Sequence, residues 1–212
     1  MIAKSHIDRH IAARCVELAQ RAVQDTNGKG NGLHPTAIAQ LEFMRDDTST
    51  RVCSIYEPAL AIIVQGKKKI LLGEETYHYG VAQHLIVSDA LPVRGYHVEA
   101  TVENPYLGLL IKLSPVELYD ILTQIQPSIE KQAKTEKPGK GCRGLFVGDV
   151  DWPLLDCAYR LTQLLDTPQD ISFLAPIILR ELYYRLLTGA QGEAIRQLAT
   201  SGSNMQRIAG VI

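Results

Sequence analysis

Apolar residues along this chain change their spacing twice. Near the start they recur every three to four positions, at Ile7, Ile11, Cys15, Leu18 and Ala22, which is the period of one helix face. Ser5 suits the cap of that helix and Asp8 falls in its first turn, where a carboxylate complements the helix dipole. The stretch Asn27-Gly28-Lys29-Gly30-Asn31-Gly32 then stops it, because glycine and asparagine do not continue a helix cheaply.

From about Pro35 to Leu113 the pattern becomes short apolar runs separated by turn residues. Residues 59–64 (Ala-Leu-Ala-Ile-Ile-Val) read as a buried strand, Gln65-Gly66-Lys67 as a turn, and 69–72 as the return strand. Gly73-Glu74-Glu75 turns again, 76–79 alternates, Gly80 breaks, and 84–88 follows. After a turn at 89–92, two further strands are expected at 93–101 and 106–113. Many short strands punctuated by Gly and Pro predict a sandwich or barrel rather than βαβ units.

The remainder is helical. Ser114-Pro115-Val116-Glu117 is a capping box with proline at the first helical position, opening a helix expected to end near Gln126, before Pro127. Residues 131–141 are polar and read as a loop. Asp151 is expected to cap a helix with Leu154, Leu155, Ala158, Leu161, Leu164 and Leu165 on one face. Asp170 is expected to cap the next, with Leu174, Ile177, Ile178, Leu182 and Leu186 inward and Gly189 at its end. Two short helical pieces follow, 193–200 and 204–212. Helices 152–166 and 171–188 form an antiparallel hairpin that either covers the β unit or supplies a dimer interface.

Composition narrows the functional classes. The 212 residues carry 22 basic and 23 acidic side chains, without the basic excess of a free-standing nucleic-acid binder. The Lys67-Lys68-Lys69 run is read as a solvated turn. Cys15, Cys53, Cys142 and Cys157 form no C-x-x-C pair, which argues against structural zinc and fits reduced thiols. Neither a leader nor a membrane-length apolar run is seen, so a cytoplasmic protein is expected.

In the β zone, residues 56–68 (Tyr-Glu-Pro-Ala-Leu-Ala-Ile-Ile-Val-Gln-Gly-Lys-Lys) resemble the signature of the AraC-type regulator N-terminal domain. Residues 71–74, 77–80, 85–88, 91–93 and 105–107 continue the resemblance in register, as do the capping-box helix and segments 178–189 and 195–199. The resemblance covers about 35–212. It implies an α+β fold: a cupin-like β-barrel of the double-stranded β-helix type, with an N-terminal helix and a C-terminal helical hairpin layer. The implied divisions are 1–32, a barrel at 33–113, a helical dimerisation or cover segment at 114–202, and a linker from 203 to 212. It also implies a homodimer through 152–188, a small-molecule effector, and DNA contact only through a helix-turn-helix domain beyond Ile212. An effector-sensing regulator, not an enzyme, without cofactor or membrane attachment, is therefore expected.

His78 and His84 lack the H-x-H spacing of a cupin metal site. His97 and Glu99 share a strand face and offer at most two ligands, so no metal is expected. No nucleophile elbow or cysteine signature marks a catalytic residue, although a thiol sensor at Cys53, Cys142 or Cys157 stays open. Arg51, Tyr56, Gln65, Tyr77, Tyr79, His84, Ser88, His97 and Tyr106 could line a ligand pocket in the barrel mouth. The ligand set taken forward is Arg51, Tyr56, Gln65, His84, Ser88 and His97, with Arg51, His84 and His97 foremost, since a cationic or imidazole group directed inward must meet an acceptor. The alternatives are a metal-dependent cupin enzyme and a ligand-free protein-interaction module.

Overall fold

The computed structural model describes residues 2–49, 51–132 and 144–209, with side chains for 9–49, 53–126 and 144–201. Cys142, the Ser5 cap and the side chain of Arg51 lie outside the described residues. Helix α1 (Ile2–Asp25) is followed by nine strands: β1 (Gly32–Pro35), β2 (Leu41–Asp46), β3 (Arg51–Tyr56), β4 (Ala59–Gln65), β5 (Lys67–Leu72), β6 (Glu75–Gly80), β7 (Gln83–Val87), β8 (Leu91–Val98) and β9 (Tyr106–Lys112). Then come α2 (Pro115–Gln132), β10 (Leu145–Asp149), α3 (Trp152–Gln163), α4 (Pro168–Thr188) and α5 (Gly192–Ala209).

The strands form two antiparallel sheets, one of order β1-β2-β9-β4-β7-β10 and one of order β3-β8-β5-β6. The fold is thus α+β and cupin-like. The barrel of the sequence reading is two sheets facing one another; strand pairing among the described residues does not run round a closed ring. Strand parity divides the core in two. On β4, Leu60, Ile62 and Val64 point outward beneath the helices, whereas Ala59, Ala61 and Ile63 point between the sheets. Leu41, Phe43, Leu107, Leu109 and Ile111 join the outer, helix-covered core. Met44, Ile70, Tyr79, Leu85, Val93 and Tyr106 line the inner one.

The helices cover the six-stranded sheet. Cys15, Leu18 and Ala22 of α1 are buried there, the face read from its period. The Ser114 hydroxyl accepts the Glu117 amide at 3.4 Å, and Asp151 caps α3 by accepting the Leu154 amide at 2.9 Å. The structure departs from the sequence reading at several points; strand β8 begins inside the expected turn at 89–92, and on α4 Leu174 and Ile177, expected inward, are exposed. Helix α2 runs through Pro127 to Gln132. Helix α4 opens at Pro168, so Asp170 sits in the first turn instead of capping it. The two expected C-terminal pieces are one helix, α5. Strand β10 was not foreseen; it adds to the sheet edge beside β7, pairing Leu145 with Val87 and Gly148 with His84.

Candidate functional site

Small side chains at inward positions leave space between the sheets. Ala59 and Ala61 of β4 and Gly95 of β8 border a cavity of about 850 Å³. Its walls are mainly apolar, with Met44, Leu85, Val87, Leu110 and the tyrosines Tyr56, Tyr79 and Tyr106. Arg45, Ser54 and Glu57 border the rim. The inward polar groups are few and come from alternate positions on four strands: Glu42 and Asp46 (β2), Lys68 (β5), His97 (β8) and Lys112 (β9).

These groups form two pairs and leave one cation over. Lys112 Nζ lies 2.6 Å from Glu42 Oε1. Asp46 Oδ1 accepts the Thr48 amide at 3.1 Å and its hydroxyl at 2.9 Å, while Asp46 Oδ2 stands 3.0 Å from His97 Nδ1. That last distance suits an ion pair, but no aligned hydrogen bond joins the two groups. Lys68 has no carboxylate partner among the described residues. Its ammonium lies 5.4 Å from the centre of the Tyr56 ring and 5.5 Å from that of Tyr106. A Cβ on Gly95 would come 3.4 Å from Lys68 Cε and 3.6 Å from the Tyr56 hydroxyl, so glycine there keeps room for both.

Burial sets the protonation of this inner surface. The His97 imidazole, stacked on Tyr106 at 4.2 Å, is pushed down to about 4 by loss of solvent, then by the Lys68 charge, against the pull of Asp46. Tyr79 and Tyr106 are held well above the ordinary phenol value, first by burial. The Tyr106 hydroxyl, on a residue only 2 % exposed, has no well-aligned hydrogen-bond partner, although the Tyr79 phenol stands beside it.

Of the pocket candidates singled out from sequence, Tyr56, Tyr79, His97 and Tyr106 line the cavity, Tyr56 and His97 being the two from the set taken forward. Gln65, His84 and Ser88 do not. Gln65 Nε2 donates to the Pro105 carbonyl at 2.8 Å and fixes the β4–β9 irregularity. Ser88 donates to Asp89 Oδ2 at 3.0 Å. His84 has the parity of Ile86, which joins the outer core, and its ring faces Gly148 and Gln191; burial lowers its pKa, opposed by Asp151 and Asp149. Arg51 pairs through its backbone with Tyr96. The His97–Glu99 pairing fails because β8 ends at Val98 and Glu99 turns to φ 61°, breaking the alternation that would align the two side chains. Among the described residues, no three His, Cys, Asp or Glu side chains gather as a metal ion would need.

Lys68 is a cavity-lining residue that the sequence reading missed. It was absorbed into a solvated lysine run, yet it shares a strand face with Ile70, which is fully buried between the sheets. Counting back two positions from Ile70 was the available signal. Lys67 is exposed on the other face.

A family model described as AraC-type transcriptional regulator N-terminus matches residues 37–194. Among solved structures, ToxT from Vibrio cholerae aligns at 8% identity over 67% of this chain and 57% of its own, with a TM-score of 0.44. A form of ToxT described as unsaturated fatty acid bound aligns at 6% identity over 75% and 56%, TM-score 0.45. The AraC-like transcriptional activator CuxR aligns at 11% identity over 80% and 62%, TM-score 0.40. The chain thus spans less than two thirds of each of these structures. No curated protein matches. No helix among the described residues is long and apolar enough to cross a membrane.

Proposed function

The chain belongs to the AraC-type transcriptional regulator N-terminal family, and from that premise we propose that it is the effector-sensing and dimerisation part of such a regulator, binding a small molecule between its two sheets. The observation that carries this reading is the cavity itself. A space of about 850 Å³ with mainly apolar walls and a few fixed polar groups has the size and composition of a small-ligand site. It is also built at a cost, since an uncompensated void loses packing contacts.

A sensor needs its ligand to favour one arrangement of the molecule over another. The cavity is placed for that. Lys112, Leu113 and Pro115 border it, and Pro115 is the first residue of α2. The Tyr183 hydroxyl of α4 donates to the Lys112 carbonyl at 3.2 Å. The opposite face of α4 exposes Phe173 (73 %), Ile177 (54 %) and Tyr184 (48 %), a stripe suited to a second copy of the chain. In this reading DNA is contacted by a helix-turn-helix domain outside these residues, and the regulator works in the cytoplasm.

The test is ligand-induced thermal stabilisation of the chain and of its Ala61→Trp variant across a panel of small organic molecules. Ala61 is an inward position on the cavity wall, so the indole fills the space. Compounds that raise the melting temperature of the wild-type chain and not of Ala61→Trp support the proposal. A panel that leaves the wild-type chain unmoved, or stabilises both alike, contradicts it.

A further inference from the structure

The chemistry left unsatisfied on the cavity wall points to the class of ligand. We infer that the cavity takes a small organic monocarboxylate with an apolar body, its head group held by the Lys68 ammonium and the Tyr106 hydroxyl. This rests on the cavity being the effector site and adds the head group that the site selects.

Lysine offers three donors and no acceptor, so an inward ammonium needs something to donate to. The other charges lining the cavity do not serve Lys68. Lys112 holds Glu42 Oε1 and leaves the buried Oε2 without a partner, Thr48 takes Asp46 Oδ1 while Oδ2 faces the His97 imidazole, and Glu57 is exposed at the rim; none of the three carboxylates is ion-paired with Lys68. Arg45 has the opposite parity on β2 and belongs to the mouth beside Leu33. What Lys68 has instead is the faces of two tyrosine rings. One of those tyrosines, Tyr106, carries the buried hydroxyl that lacks an aligned partner. A buried hydroxyl without a well-aligned acceptor is costly, and a ligand acceptor placed between it and Lys68 would serve both.

The same inventory selects a monoanion. His97, beside Lys68 in the strand register, stays neutral at pH 7 and adds no second positive charge for a phosphate dianion. The apolar walls formed by Met44, Leu85, Val87 and Leu110 suit a hydrocarbon or aromatic body behind the carboxylate.

The experiment is calorimetric titration of the 212-residue chain at pH 7 with 4-phenylbutanoate and with its neutral isostere 4-phenylbutanamide. A charge-assisted contact in a mainly apolar cavity is expected to favour the acid by about tenfold. Lys68→Met brings the two ligands within about twofold of each other, Lys68→Arg retains the preference, and Lys67→Met on the outer face leaves it as in the wild type. The wild-type comparison stands alone if a Lys68 variant fails to fold. Equal affinity of acid and amide for the wild-type chain overturns the inference, as does a preference that survives Lys68→Met, or tighter binding of inorganic phosphate than of the acid. If both compounds bind equally and Ala61→Trp blocks both, the cavity reading stands and the carboxylate inference falls. Binding of neither overturns both.

Discussion

His97 and Lys68 sit side by side on neighbouring strands, and the Lys68 charge adds to burial in keeping the imidazole neutral. The imidazole is buried, and its pKa falls from 6.5 to about 4 in the folded chain. The sign follows directly. Between those values the unfolded chain binds a proton that the folded chain refuses, so stability is greatest above pH 6.5 and is lost as the pH falls towards 4. The full span is worth on the order of 3 kcal/mol. Urea unfolding measured from pH 7.5 to pH 4 is expected to follow that slope, and His97→Gln to flatten it. His84, also buried and lowered, adds in the same direction. Residue-level chemistry was legible in part. Tyr56 and His97 stood out by residue type, and both line the cavity. Lys68 did not, because its neighbours Lys67 and Lys69 made a charge run look like a turn. Nor did the fate of Glu99, whose positive φ leaves no mark in the sequence beyond the end of an apolar pattern.

At the scale of elements, the helices were the readable part. Ser114 and Asp151 announced their caps, and the apolar spacing of α1 and α3 matched their buried faces, whereas on α4 Ile178, Leu182 and Leu186 are buried but Leu174 and Ile177, expected inward, are exposed. Asp151→Ala, which removes the cap of α3, is expected to cost about 1 kcal/mol in chemical denaturation. Leu155, fully buried on the same helix, is expected to cost about 2–5 kcal/mol as Leu155→Ala. Strand β10 escaped notice because only five residues, Leu-Phe-Val-Gly-Asp, follow a long polar stretch, and their partner β7 lies some sixty residues earlier. Local patterning does not carry such a distant pairing. The exposed stripe on α4 makes its own prediction: Ile177→Asp lowers the dimer fraction seen by sedimentation velocity while leaving the helical circular dichroism unchanged. A dimer that survives both Ile177→Asp and Phe173→Asp would place the interface elsewhere.

Over the whole molecule, parity sorts one set of strands into two cores. The outer faces of the six-stranded sheet are closed by helices, while the space between the sheets is only partly filled. A β unit followed by a helical layer was readable from the change of period. The cavity was not, because it depends on which small residues meet across two sheets: Ala59, Ala61 and Gly95 are unremarkable in sequence and adjacent only in the fold. The central claim is that this space holds the effector. The most direct measurement is a crystal structure of the chain grown with a compound that raises its melting temperature. The account predicts density between the sheets, against Ala61, Lys68 and Tyr106. Density seated instead in the groove between α2 and α4, beside Ile121 and Pro176, with the space between the sheets unchanged, would contradict it.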